Sequence, residues 1–119
     1  MEAVIQSKTQ EVLNHHLAAF NKANVDSILE DFTEDSELLS PDGALKGLNA
    51  IRSFFTEVFK IIPAGSALAV KQMIIRDEVA YLAWSCESSF VSIPFGTDSF
   101  IVENDKIKYQ TLGAHIIPK

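Results

Sequence analysis

The chain has 119 residues, enough for one domain with a real hydrophobic core and too few for a clear second domain. Hydrophobic residues make up 47% and charged residues 22%, which are ordinary values for a globular protein. The net charge is -6 and the ten basic residues are scattered, so a nucleic-acid-binding role, which needs a basic face against phosphate, is disfavoured.

Helical periodicity dominates the first half of the chain. Apolar residues over 3–23 fall mainly at steps of three, four and seven, which predicts an amphipathic helix. Asn24 is placed to cap a short second helix over 25–32. A third helix with a broad apolar face is predicted between Gly47 and Pro63, since proline cannot continue it.

Extended patterns account for the rest. Glu37–Ser40 is predicted to be a short strand that ends at the turn Pro41-Asp42-Gly43, and Ala44–Lys46 returns antiparallel to it. Later strands are expected over 67–76, 79–91, 98–102 and 106–117, with turns at 77–78, 94–96 and 104–105. The short connections imply antiparallel neighbours.

This order predicts an α+β fold in which three helices cover one face of the sheet. The strands are apolar on both faces in places, and no helix is left to cover the second face. We therefore expect a homodimer that forms through the outer sheet face.

Several other classes of protein are not expected. The start Met1–Val4 lacks a basic, apolar leader, and no apolar run approaches the roughly 20 residues of a membrane span, so a cytoplasmic protein without a membrane partner is predicted. Cys86, the single cysteine, lies among apolar residues and is interpreted as a core residue. Nucleotide, zinc and nucleophile-elbow motifs are absent from the sequence, and no metal or cofactor is expected.

One stretch carries a family resemblance. The segment from Asp26 to Gly43 resembles the nuclear transport factor 2-like superfamily, especially its SnoaL-like and ketosteroid isomerase-like members. There, a short helix and an acidic pair lead to an early strand and a Pro-x-Gly turn. Gly47 to Phe55 is similar to the family's Gly-x-x-x-Ile-x-x-Phe-Phe helix start. The resemblance covers nearly all of the chain as a single SnoaL-like domain, 1–119, and implies a strongly curved, mixed, mainly antiparallel sheet around a cone-shaped cavity.

The resemblance also implies site positions. Ketosteroid isomerases place a base before the proline of the turn, an oxyanion donor on the first helix and a neutral acid on a late strand. In this sequence those positions are occupied by Ser40, His16 and Asp98. A hydroxyl cannot abstract a proton from carbon as a carboxylate can. The family's pocket tyrosines on the second and third helices are replaced by Phe32 and Phe55.

Two interpretations remain open at each polar position. His16 lies on the apolar stripe of its helix. It is interpreted either as a polar group of the pocket or as a core histidine bonded to one partner. Asp98 shares its strand parity with Phe100, so it is either a pocket acid or an exposed residue at the start of its strand. A His16–Asp98 pair is possible on this pattern, and the facing of His115 is left open.

The resulting functional hypothesis is a cavity that binds a small, largely apolar organic ligand. Catalysis there would be cofactor-free proton transfer of isomerase or dehydratase type, with His16, Asp98 and Ser40 as the polar groups. The alternative is a non-catalytic dimerisation or interaction module of the same fold. The side chains expected to line the cavity are Phe20, Phe32, Phe54, Phe55, Phe59, Met73, Trp84 and Phe100.

Overall fold

Three helices form one layer of the molecule in the computed structural model, which describes residues 2–119. Met1, part of the stretch on which the cytoplasmic prediction depends, lies outside the described residues. The helices are α1 (Glu2–Asn21), α2 (Val25–Leu29) and α3 (Leu48–Ile61). None of the described helices is long and apolar enough to cross a bilayer.

The short second helix begins where its cap predicts. The side chain of Asn24 accepts a hydrogen bond of 3.0 Å from the backbone N–H of Ser27. The helix is shorter than the predicted 25–32, because its last residues continue as a turn in which Phe32 N–H bonds the carbonyl of Leu29. Phe32 nevertheless stays buried in the core.

Six strands form a single sheet. They are β1 (Glu37–Ser40), β2 (Gly43–Lys46), β3 (Ala67–Arg76), β4 (Val79–Glu87), β5 (Val91–Glu103) and β6 (Lys106–Pro118). Their order is β2-β1-β6-β5-β4-β3, with every pair antiparallel except β1 and β6, which run parallel. Register shifts along the long strands curve the sheet. The predicted α+β class with a curved, mixed, mainly antiparallel sheet is confirmed.

The turn between β4 and β5 lies at Ser88–Phe90, and the prediction of a turn at Pro94–Gly96 was wrong. The strand predicted over 79–91 therefore ends at Glu87, and β5 begins much earlier than residue 98. Ser88 closes the turn, because its hydroxyl accepts from the N–H groups of Phe90 and Val91. It also donates to a carbonyl at the end of α3.

Pro94 and Gly96 instead shape the interior of β5. The pairing with β6 shifts register between Ser92 and Phe95, so the ladder does not need the N–H that Pro94 lacks. Gly96 lies against the indole of Trp84, where an added Cβ would come within 2.5 Å of ring atom Cζ2. Both residues therefore allow a long strand to bend rather than end.

Alternation along β5 determines which side chains face the helices. Asp98, Phe100 and Val102 are buried, whereas Ile101 is exposed on the outer face. The predicted shared parity of Asp98 with Phe100 is confirmed. The inner face of the sheet and the three helices enclose the hydrophobic core.

Candidate functional site

A cavity of about 330 Å³ lies between the inner face of the sheet and helices α1 and α3. This volume lies within the range of small-molecule sites, roughly 300–1,000 Å³. Most of its wall is apolar, and no Lys or Arg within residues 2–119 lines it. The side chains with polar atoms in its wall are His16, Ser40, Asp42, Trp84, Asp98 and Gln110.

Asp98 lies in the cavity wall at the centre of three strands. It pairs with Leu82 on β4 and Leu112 on β6, so its nearest cross-strand neighbours are apolar. Trp84 Nε1 donates a hydrogen bond of 2.9 Å to its Oδ1, and Gln110 Nε2 donates one of 2.8 Å to its Oδ2. The carboxyl group is therefore held from both sides by neutral donors.

The environment of Asp98 perturbs its protonation. The residue is 7% exposed, and burial raises the pKa of its carboxyl group from 3.8 to about 6. The hydrogen bonds from Trp84 and Gln110 lower the pKa, but they do not offset desolvation. A buried acid with a raised pKa in a cavity wall is a typical functional-site candidate.

Aromatic rings surround His16, which is 3% exposed. Its ring meets those of Phe32, Phe55 and Phe100 edge to face, with centroid distances of 6.1, 5.9 and 5.2 Å. The family resemblance assigns pocket tyrosines to the positions of Phe32 and Phe55. Here the two phenylalanines pack around the imidazole and offer it no hydroxyl.

The imidazole of His16 lacks a hydrogen-bond partner among the described residues. Its Nδ1 is fully buried without one, and no hydrogen bond joins it to Asp98, so the possible His16–Asp98 pair is not formed. Burial, and then the charge of His15, lowers the pKa of His16 to about 4. The ring is neutral at pH 7, with one donor and one acceptor nitrogen.

The hairpin between β1 and β2 contributes the exposed edge of the cavity. Ser40 and Asp42 both line it, and the Ser40 hydroxyl accepts a hydrogen bond of 3.2 Å from the backbone N–H of Asp42. Ser40 therefore faces the cavity at the position implied by the family resemblance. Asp42 is an exposed carboxylate of the same turn.

The eight side chains predicted to line the cavity divide into two groups. Those in the cavity wall are Phe20, Phe54, Phe55 and Trp84. Those packed elsewhere in and around the core are Phe32, Phe59, Met73 and Phe100. Helical and strand periodicity indicates which side chains face inward, but it does not separate a cavity wall from the core behind it.

Gln110 is a site residue that no sequence pattern singled out. It lies on the same side of β6 as Leu112 and Ala114, which line the cavity. A polar residue on the side of the strand that these apolar residues occupy was the one sign in the sequence that could have indicated it. Its Oε1 is buried without a hydrogen-bond partner. His115 has the opposite parity and is exposed, which places it on the outer face.

Other reactive groups lie outside this arrangement. Among the side chains that the structure describes, residues 3–119, no three His, Cys, Asp or Glu are close enough together to hold a metal ion. Cys86 is buried in the core, and burial raises the pKa of its thiol, which disfavours the nucleophilic thiolate.

Solved structures share this architecture at low sequence identity. A putative ketosteroid isomerase from Kribbella flavida superposes with a TM-score of 0.77 at 13% identity, over 92% of this chain and 79% of the other. A SnoaL-like protein from Burkholderia thailandensis superposes with a TM-score of 0.74 at 15% identity, over 92% of this chain and 96% of the other. A putative polyketide cyclase from Sinorhizobium meliloti superposes with a TM-score of 0.72 at 17% identity, over 86% of this chain and 93% of the other. These similarities show the fold.

Comparison of the sequence with curated proteins gives no match. A family model does match: that of the SnoaL-like domain aligns with residues 13–110. The match includes the last nine residues of α1, all of α2, α3 and β1 to β5, and the first five residues of β6. The cavity residues from His16 to Gln110 lie within the same stretch. The chain therefore belongs to the SnoaL-like family of the nuclear transport factor 2-like superfamily.

Proposed function

We propose that this chain binds a small, largely apolar organic molecule in its cavity, with Asp98 and His16 as the polar groups that contact it. Asp98 is the observation that carries the proposal. It is a buried carboxyl group in an apolar wall, hydrogen-bonded to neutral donors and to no cation. Such a group destabilises a fold, which favours a functional reason for its presence.

The same geometry supports cofactor-free proton transfer, of isomerase or dehydratase type, as the reaction. With a pKa of about 6, Asp98 exchanges protons readily near neutral pH and can act as acid or base. Neutral His16 offers a hydrogen bond to the substrate. Ser40 supplies only a hydroxyl at the edge of the cavity, and a hydroxyl cannot abstract a proton from carbon as a carboxylate can. We therefore assign the role of the base to Asp98.

A ligand screen tests binding. A library of small apolar compounds is added to the wild type, His16→Ala and Asp98→Asn, with Asp35→Asn as a control at an exposed acid. A ligand at a hundredfold excess over its Kd should stabilise the wild type by about 2.7 kcal/mol. The control should respond like the wild type, and each site variant should respond less to compounds whose polar group contacts the side chain it removes. If no compound raises the Tm of the wild type, the binding proposal fails.

Turnover is tested on the compounds that bind. Each is incubated with protein in D₂O, and deuterium incorporation at carbon is followed by mass spectrometry. A proton-transfer enzyme should label the ligand, and Asp98→Asn should reduce the rate by about a hundredfold or more. Binding without labelling or any other chemical change would leave a non-catalytic pocket.

The outer sheet face supports a second role, as the contact between two copies of the chain. Val79 and Tyr109 are the cross-strand neighbours of Ile101, and Val79 and Ile101 remain 45% and 38% exposed. Exposed apolar side chains in adjacent strands are typical of an interface. Sedimentation equilibrium should give a dimer, and Ile101→Lys should yield the monomer. Val4→Lys, at an exposed apolar position on α1, is the control that should stay dimeric.

A further inference from the structure

The charge of the cavity wall restricts the ligands that fit it. Its ionisable side chains are Asp42, Asp98 and His16, and the low pKa of His16 keeps that ring neutral at pH 7. No cation among the described residues lines the cavity. An anionic ligand would therefore bury its charge beside a carboxylate without a partner, which is strongly unfavourable.

We propose that the ligand carries a basic amine and that its ammonium group binds Asp98. This inference rests on the binding part of the proposed function and specifies its ligand class, with Asp98 as the anion that holds the ligand and not as the base. Each Asp98 oxygen accepts one hydrogen bond, from Trp84 or Gln110. An ionised carboxylate has about four acceptor positions, so roughly two remain for the donors of a ligand.

The rest of the wall suits an apolar cation. Phe20, Phe54, Phe55 and Trp84 line the cavity, and aromatic faces attract ammonium groups when water is excluded. His16 also lines the cavity, and its neutral imidazole adds no positive charge that would repel an ammonium group. The net charge of -6 favours the approach of cations over that of anions.

A matched set of naphthalene probes tests the inference. Naphthalen-2-ylmethylamine, naphthalen-2-ylmethanol, 2-methylnaphthalene and 2-naphthoate share one ring system and differ in their polar group. At neutral pH the amine should bind the wild type about tenfold or more tightly than the alcohol, and the carboxylate should bind most weakly.

Variants then locate the cause of the preference. Asp98→Asn should reduce amine affinity to that of the alcohol and leave 2-methylnaphthalene binding unchanged, which also shows that the variant is folded. Asp35→Asn removes an exposed charge and should alter no affinity by more than about threefold.

The failure of this inference differs from the failure of the proposed function. Equal affinities for amine and alcohol in the wild type, or an amine preference that persists in Asp98→Asn, would overturn the amine assignment alone. If the hydrocarbon, the alcohol and the amine all fail to bind, the apolar cavity is not a ligand site, and both proposals fall together.

Discussion

Trp84 and Asp98 are joined across neighbouring strands by a hydrogen bond of 2.9 Å from the indole Nε1 to the carboxylate Oδ1. The indole itself lies against Gly96, the cross-strand partner of Trp84. The position of the buried acid therefore depends on a glycine two residues away on its own strand. The contact of Trp84 with Gly96 therefore packs the sheet and also positions the carboxyl group of Asp98.

Gly96→Ala should destabilise the protein and disturb the site. The new Cβ would lie 2.5 Å from Trp84 Cζ2 and 2.6 Å from Cε2, so the indole or the strand must move. Overpacking of this kind costs about 1–3 kcal/mol, measurable by urea denaturation. Gly113→Ala is the control, because its added Cβ meets no atom within 4 Å. Equal stability of the two variants would contradict the contact.

Asp98→Asn should stabilise the protein at neutral pH. The pKa of Asp98 is raised from 3.8 to about 6, so its contribution favours folding fully below pH 3.8 and is lost as the pH rises through 6. A neutral amide avoids this loss, with a gain of up to about 3 kcal/mol. After rotation of its own amide, Gln110 can accept from the new amide through its unpartnered Oε1.

Denaturation midpoints measured near pH 4 and near pH 8 test whether ionisation of Asp98 destabilises the fold. The advantage of Asp98→Asn should be large near pH 8 and small near pH 4, whereas Asp35→Asn should show no such trend. A variant that is less stable than the wild type near pH 8 would show that the ionised carboxylate is stabilising.

His16 should have the opposite pH dependence. Its pKa is lowered from 6.5 to about 4, so the neutral ring favours folding fully above pH 6.5, and this contribution is lost as the pH falls through 4. His16→Leu should abolish this fall in the free energy of unfolding, which amounts to up to about 3 kcal/mol between pH 6.5 and pH 4. The contributions of His16 and Asp98 oppose each other in the wild type, so unfolding free energies of the two single variants should slope in opposite directions. Parallel slopes would contradict the assignment.

Removing either donor should raise the pKa of Asp98 further. The hydrogen bonds from Trp84 and Gln110 lower that pKa, so Trp84→Phe and Gln110→Leu should each shift it upward by about one unit. The carboxyl ¹³C shift of Asp98, followed by NMR against pH, measures the effect. An unchanged or lower pKa in both variants would show that the hydrogen bonds do not favour the ionised form.

Much of the fold could be predicted because its signals are local. Helical periodicity, the Asn24 cap and the Pro41–Gly43 turn each depend on residues close together in the chain, and they gave the correct element order. The prediction went wrong at Pro94–Gly96, where the same residue types serve a bent strand. Whether proline and glycine make a turn or a bulge depends on the strands beside them.

The site was predictable only in part, for the same reason. Parity along α1 and β5 is a property of the sequence, and it was enough to turn His16 and Asp98 towards the inside of the molecule. The partners of Asp98 come from the neighbouring strands β4 and β6, whose pairing with β5 includes register shifts. The rings around His16 come from α3, β5 and the turn after α2. Tertiary structure alone decided that Asp98 is held by Trp84 and Gln110 while His16 is surrounded by phenylalanine rings. Which way a side chain points follows from its own helix or strand, whereas what it meets depends on how the helices and strands pack together.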